Sequence, residues 1–432
     1  GPGSLFAALP GTRTDGHEFA AAAVAAGAVA VLASRPVGCP ALVVPDVQAA
    51  LGQLARAVVD RASDLTVIGI TGSAGKTTTK DLTAQLVETL GPTVAPRDSF
   101  NNEIGHPLTV LRITGQTRFL VSELAARGPG HITELCHIAP PRLGAVLGVG
   151  HAHAGEFGGL DAIAQAKGEL VAALPADGVA VLNADDHRVA AMAARTRARV
   201  VTFGRSQGAE VRAESVRMDE AGRAGFLLVT PAGSAPVQLR LHGEHHVTNA
   251  LAAAALAGQL GMPVAATTAG LSAAAARSRW RMEVTRLADG VTVVNDAYNA
   301  NPDSVRAAIA ALTSMSRGRR AFAVLGHMTE LGDDADRLHA EIGADAAAAG
   351  LAGLIVVGDE AAPILAGART VSGWRGDLEH VPDAAAAVGA LKGRLHDGDV
   401  VLVKASHSIH LERVALALTG EQPLDGDQEP RP

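Results

Sequence analysis

The chain holds 432 residues, 44 acidic against 37 basic, with 48% hydrophobic and only 3% aromatic side chains. That balance excludes disordered and fibrous classes, and a net charge of −7 argues against a nucleic-acid partner, which demands clustered Lys and Arg. Cys39 and Cys136 are too few for a disulfide framework, and no apolar run reaches the ~20 residues of a membrane-crossing helix, so a cytoplasmic protein without membrane insertion is expected.

In chain order, Gly1-Pro2-Gly3-Ser4 reads as a cloning remnant, and the immediate entry into Leu5-Phe6-Ala7-Ala8-Leu9 predicts that a natural N-terminus is missing. Residues 1–63 are expected to form a small, truncated α/β domain with strands at Val29–Leu32 and Ala41–Val44. Residues 64–277 carry apolar runs at Leu65–Ile70, Arg118–Leu124, Leu143–Val149 and Gly178–Leu182, mostly separated by helical segments. Lys76–Leu90 is one such helix, stopped by Gly91-Pro92, and Asp161–Leu174 is another. Continuous apolar strands alternating with helices predict a mostly parallel sheet covered on both faces. Residues 199–241 are strand-rich and predict an antiparallel extension. Residues 278–432 repeat the alternation, with strands at Val291–Asn295, Ala321–Leu325, Leu354–Val357 and Val400–Val403, and predict a Rossmann-like domain. The fold class is therefore α/β in three domains.

The strongest local signal is Ile70-Thr71-Gly72-Ser73-Ala74-Gly75-Lys76-Thr77-Thr78, where an apolar strand becomes a helix. Glycines let backbone N–H groups converge on phosphate oxygens, the helix N-terminus adds positive potential, Lys76 adds a point charge and the Thr77 hydroxyl can ligate Mg²⁺. The loop departs from the commonest P-loop by carrying Ile70 where a glycine is usual. A magnesium-nucleotide site in such a sheet draws on the ends of neighbouring strands, where Glu123, His153, Asp185 and Asp186 stand. Lys167, taken alone, reads as the charged face of a helix, and an ammonium cannot ligate a metal.

These stretches resemble the ATP-dependent Mur ligases of peptidoglycan synthesis. The resemblance covers Leu5–Phe19, Thr71–Thr77, Phe100–Thr109, Ala152-His153 with Phe157-Gly158, Lys167, Leu182–Asp186, Gly243–Ala250, Asp296–Ser304, Met328–Gly332 and Val401–Ser406. Asn101-Asn102, Tyr298-Asn299-Ala300-Asn301-Pro302 and Glu330-Leu331-Gly332 point to the branch that adds D-alanyl-D-alanine to UDP-N-acetylmuramoyl-tripeptide. The Asp-Asn-Pro-Arg stretch of the diaminopimelate-adding branch is absent.

The resemblance implies amide formation through an acyl phosphate, with ATP and two Mg²⁺ ions. It implies catalytic roles for Lys76, Glu123, His153 and Lys167, the last as a CO₂-derived carbamate. Thr77 and Glu123 would hold one ion, and His153 with carbamylated Lys167 the other. ATP would lie on Thr71, Gly72, Ser73, Ala74, Gly75, Lys76, Thr77 and Thr78, with Asn249, Arg281, Asp296, Tyr298 and Asn299 at its adenosine end. Arg13, Asp15, His17, Asn101, Asn102 and Thr109 would face the UDP-muramoyl peptide. A monomer is expected, with closure of the last domain onto the central one when ATP binds. His327, His151, Gly148, His246 and Trp280 depart from the family pattern without removing a residue given a catalytic role. The alternatives are a sister ligase for another amino acid, a folylpolyglutamate-type ligase, or a nucleotide-binding regulator without catalysis.

Overall fold

The computed structural model describes residues 2–11, 14–151 and 154–421, and among them the strands form three sheets. The first is parallel, in the order β1 (Leu5–Ala7), β2 (Ala30–Ala33), β3 (Ala41–Val43). The helix Val47–Arg61 follows, capped by Asp46, whose carboxylate accepts from Ala49 N at 2.9 Å. Its Ala55 packs with Val67, Val110 and Leu120 and so fastens this unit to the next one.

The second sheet contains β4 (Thr66–Thr71), β5 (Thr93–Val94), β6 (Phe119–Glu123), β7 (Leu143–Val146), β8 (Val179–Asn183) and β9 (Arg199–Gly204), then β10 (Val211–Met218), β11 (Arg223–Thr230) and β12 (Gly233–His242). Their order is β12-β11-β10-β9-β8-β7-β4-β6-β5. The strands β4, β6, β7 and β8 are almost wholly buried, because helices cover both faces of this part of the sheet. From β4 the chain passes to the edge strand β5 and back to β6 on one side, then crosses to β7 on the other side of β4; β6 and β7 both run parallel to β4. That reversal opens a crevice beyond its C-terminal end, where such sheets bind ligands. The expected antiparallel extension is confined to β10, β11 and β12; β9 pairs parallel with both β8 and β10. The apolar run at 143–149 is strand only to Val146, since Leu147 N turns to Thr71 O and Gly148 O accepts from Ser73 N.

The third sheet contains β13 (Glu283–Arg286), β14 (Thr292–Asn295), β15 (Ala321–Leu325), β16 (Gly353–Val357), β17 (Asp377–Val381) and β18 (Val400–Lys404), in the order β13-β14-β18-β15-β16-β17. All its pairings are parallel except β13 with β14. Separate apolar clusters cover its two faces, one built round Leu312, Ile342 and Val356, the other round Val293, Val324 and Val414. No helix among the described residues is long and apolar enough to cross a membrane.

Candidate active site

Beyond Thr71 the chain turns through Gly72-Ser73-Ala74-Gly75 into the helix Lys76–Val87. Gly75 has φ +80°, and a Cβ there would lie 2.3 Å from Asn249 Oδ1, so only glycine meets both demands. Asn249 is buried on the helix His246–Gln259, whose residues Ala252–Ala255, Leu256 and Ala257 pack in one cluster with Leu82, Ala84 and Leu86 of the P-loop helix. Its amide nitrogen lies 3.2 Å from His246 Nδ1.

Two polar side chains fix the cradle to its neighbours. Thr71 Oγ1 donates to Leu124 O at 2.8 Å, and Ser73 Oγ donates to Gly150 O at 3.0 Å while accepting from Gly150 N at 2.8 Å. Ala74 is exposed at the crest and Thr78 is half-buried. Lys76 Nζ donates to Gly72 O at 2.8 Å; desolvation holds its pKa below the ordinary lysine value, with Glu123 opposing and Arg281 reinforcing the shift.

Thr77 is the meeting point of distant segments. Its Oγ1 lies 3.0 Å from Ser99 Oγ and accepts from Arg281 Nη2 at 2.9 Å; the same nitrogen reaches Ser99 Oγ at 3.0 Å. The Arg281 guanidinium stands 4.2 Å from the centroid of Tyr298, and Tyr298 stacks on His407 at 5.2 Å with the rings 18° apart.

Glu123, at the end of β6, is 1% exposed. Its Oε1 accepts from Asn101 Nδ2 at 2.6 Å, while Oε2 is buried with no hydrogen-bond partner among the described residues. An unpaired buried carboxylate oxygen is costly, and a cation would satisfy it.

Lys167 is not on a solvated face, as its charge alone suggested, but is 2% exposed. It shares a face of the helix Leu160–Ala172 with Leu170, and Leu170 lies over Gly69 of β4 and Gly144 of β7. A Cβ at Gly69 would stand 2.9 Å from Leu170 Cδ1, so the glycine permits the close approach that buries the lysine. Burial, and then the like charge of Lys76, push the Lys167 pKa well below its ordinary value.

In the third domain Asp296 follows β14, and Lys404 ends the neighbouring β18. Lys404 Nζ donates to Asp296 Oδ2 at 2.6 Å and to Asn299 O at 2.8 Å, while Asp296 Oδ1 accepts from Met282 N at 3.0 Å. Both oxygens of Asp296 thus have protein partners. Asn299 is exposed, its Oδ1 accepting from Ala300 N at 2.9 Å. The third domain also reaches the central one through Asp303, whose Oδ2 accepts from His151 N at 3.0 Å.

Other sequence candidates have local partners. Asp185 accepts from Arg205 N at 2.6 Å and Ser206 N at 2.9 Å, and Asp186 from Val149 N at 2.7 Å and Arg188 N at 2.9 Å. These carboxylates cap turns. Asn102 Oδ1 accepts from Gly105 N at 2.8 Å, and Thr109 is buried with its hydroxyl donating to Gly105 O at 3.0 Å. Asp15 lies 2.5 Å from His17 Nδ1 and 2.7 Å from Arg35 Nη2, and its pKa is lowered to about 2, chiefly by the His17 backbone N–H. His17 Nε2 accepts from Ser34 N at 2.9 Å. His153 and Arg13 lie outside the described residues. Ser99 was missed, being one serine in a loop with no local pattern, and Lys404 and Asp303 stood in noted stretches without a role.

Among the described residues, no group of three or more His, Cys, Asp and Glu converges as a protein-only metal cage. The donor chemistry, one hydroxyl and one unpaired carboxylate oxygen beside a phosphate cradle, fits Mg²⁺, which takes few protein ligands and completes its shell with phosphate and water oxygens.

A phosphate cradle at the switch point of a mostly parallel sheet, with a second α/β domain reaching into it, defines a P-loop nucleotide-binding protein. Family models match residues 1–59 (Mur ligase family, catalytic domain), 70–257 (Mur ligase middle domain) and 280–407 (Mur ligase, glutamate ligase domain). A UDP-N-acetylmuramoyl-tripeptide–D-alanyl-D-alanine ligase of Mycobacterium leprae is 46% identical over 98% of this chain and 91% of its own length. The crystal structure of MurF from Acinetobacter baumannii is similar at TM-score 0.87 and 32% identity, covering 97% of this chain and 91% of that one. MurF ligase from Thermotoga maritima in complex with ADP is similar at TM-score 0.84 and 30% identity, covering 97% and 95%. The chain belongs to the Mur ligase family.

Proposed function

We propose that the chain joins D-alanyl-D-alanine to UDP-N-acetylmuramoyl-tripeptide at the expense of ATP, making the UDP-muramoyl-pentapeptide precursor of peptidoglycan. The observation that carries this reading is the convergence of Lys76, Thr77, Glu123 and Lys167 round the end of β4, in a chain similar from end to end to ligases of that name.

The tripeptide carboxylate attacks the γ-phosphorus of ATP, ADP departs and an acyl phosphate remains. The dipeptide amine then attacks the acyl carbon, and phosphate leaves as the amide forms. Lys76, with the N–H groups of Gly72–Thr77, holds the phosphates and offsets their charge. Thr77 and Glu123 would hold one Mg²⁺, and His153 with carbamylated Lys167 a second, and such ions would supply the positive charge that offsets the repulsion between phosphate and carboxylate. Burial favours the neutral amine of Lys167, the form that attacks CO₂; the new N–C bond and loss of a proton leave a carbamate of charge −1. The carbamate would attract Lys76, where an ammonium would repel it.

Arg281, Tyr298 and Asn249 hold the nucleotide between domains, with Asp296 and Asn299 supporting them. Asn101 and Asn102 are assigned to the muramoyl peptide, with Thr109 bracing the helix Gly105–Val110 that follows them, and Arg13, Asp15 and His17 are assigned to the uridine side. The domains run 1–63, 64–277 and 278–432, and the enzyme acts in the cytoplasm as a monomer. The test is phosphate release from ATP with UDP-N-acetylmuramoyl-tripeptide, offered D-alanyl-D-alanine, D-alanine, meso-diaminopimelate, D-glutamate or no amine, with mass detection of product. Turnover confined to the dipeptide is expected; turnover with another amine, or none, refutes the assignment.

A further inference from the structure

Lys80 is among the largest fully buried side chains of the described residues, and the reaction above makes no use of it. Its Nζ lies 2.5 Å from Asp81 Oδ1, donates to Pro96 O at 3.0 Å and lies 3.5 Å from Ser278 Oγ. The other oxygen, Asp81 Oδ2, accepts from Ser278 N at 3.1 Å and Ser278 Oγ at 2.7 Å. We infer that the Lys80–Asp81 pair and Ser278 are positioning residues that set Arg281 and Ser99 on the Thr77 hydroxyl for phosphoryl transfer; this rests on the ligase reading of the site.

The argument is one of register. Asp81 lies one helical turn beyond Thr77 on the same face, and Ser278 stands three residues before Arg281. Gripping Ser278 at Asp81 therefore brings Arg281 over Thr77. Lys80 does the same for the other segment, since Pro96 stands three residues before Ser99. One buried pair thus aligns two segments, and both deliver polar side chains to one hydroxyl.

Further contacts lash the linker 275–281 along the P-loop helix. Gln85 exchanges hydrogen bonds with the backbone of Ala275, at 3.0 Å to its carbonyl and 3.1 Å from its N–H, and Arg277 donates to both Glu88 oxygens at 2.5 Å and 2.6 Å. Just past Ser278, Trp280 and Met282 take φ of +57° and +53°, left-handed values that non-glycine residues avoid. The chain is bent where the linker hands over to the third domain, while Arg281 stays with the P-loop. A buried ion pair adds little net stability over an apolar pair of the same volume, so its distinctive contribution here is directional.

The experiment compares Ser278→Ala, Ser278→Thr and the volume-keeping double change Lys80→Met with Asp81→Leu, each alone and with Arg281→Lys, in the full chain. Wild-type turnover with the dipeptide is the control; if it is absent, the ligase reading fails before the inference is reached. Ser278→Ala and the double variant are expected to lower kcat about 10-fold or more with the KM for the tripeptide unchanged. Hydrogen exchange in 275–281 should quicken in both, Ser278→Thr should restore both readings, and the losses should not multiply with that of Arg281→Lys. Wild-type kcat in Ser278→Ala, or losses that multiply fully with Arg281→Lys, overturns the inference. Should the double variant fail to fold, Ser278→Ala and its threonine rescue decide alone, because they leave the ion pair intact.

Discussion

Arg281 donates to the hydroxyl of Thr77 at 2.9 Å across 204 residues of chain. The arginine stands at the threshold of the third domain and the threonine at the first turn of the P-loop helix, so the phosphate cradle is completed by a residue from outside its own sheet. Any change in how the two domains meet must therefore be felt at the phosphates.

Lys167→Ala should cost about 100- to 1,000-fold in turnover, the loss typical of removing one preorganised charge-stabilising group. Short carboxylic acids added to the assay should restore part of it by supplying the missing oxygens. Steady-state phosphate release checks this; full activity in the variant removes the carbamate from the mechanism.

Gly75→Ala forces a methyl group into left-handed backbone and against Asn249 Oδ1, 2.3 Å from where it would sit. Strain of about 1–2 kcal/mol from the backbone alone is expected, with loss of ATP affinity. Thermal unfolding and nucleotide titration measure the two effects. Adding Asn249→Ala should recover some stability but not affinity, if Asn249 serves the nucleotide as proposed.

Gly155 and Gly332 touch across the two domains: a Cβ on Gly155 would stand 2.3 Å from Gly332 N, and Gly155 N donates to Glu330 O at 3.2 Å. Gly155→Leu, on an exposed position, should leave the unfolding midpoint within a few degrees and lower kcat by holding the domains apart. Small-angle scattering with a non-hydrolysable ATP analogue should show wild type reaching a more compact form than the variant.

His106 is 1% exposed, its Nε2 has no hydrogen-bond partner among the described residues, and burial lowers its pKa from 6.5 to about 4. The unfolded chain takes up this proton at higher pH than the folded one, so stability is complete above pH 6.5 and falls as pH drops toward 4. The loss approaches about 3 kcal/mol at the bottom of that window, at 1.36 kcal/mol per unit. His106→Leu should flatten this part of the profile, measured as the difference in unfolding midpoint between wild type and variant from pH 7 to pH 4.5.

The phosphate loop, most of the strands of the two larger sheets and the family were legible in the sequence, because each is local: a strand-length apolar run, a helix stop, a glycine beside Lys76. So was Glu123 as a candidate, from its place at a strand end. Lys167 was legible only through resemblance, since its own helix reads as amphipathic and nothing nearby announces that Gly69 and Gly144 let Leu170 draw that face onto the sheet. Asp185 and Asp186 show the converse, carboxylates at a strand end whose oxygens are taken by backbone N–H groups of neighbouring turns. Ser99, Ser278 and the Lys80–Asp81 pair were invisible for one reason: hydrogen bonds between segments as far apart as Asp81 and Ser278, 197 residues, leave no periodicity in the chain. Short-range physical preferences determined the elements and the loop; which polar groups meet at Thr77, and which are caps, was decided only when those elements packed.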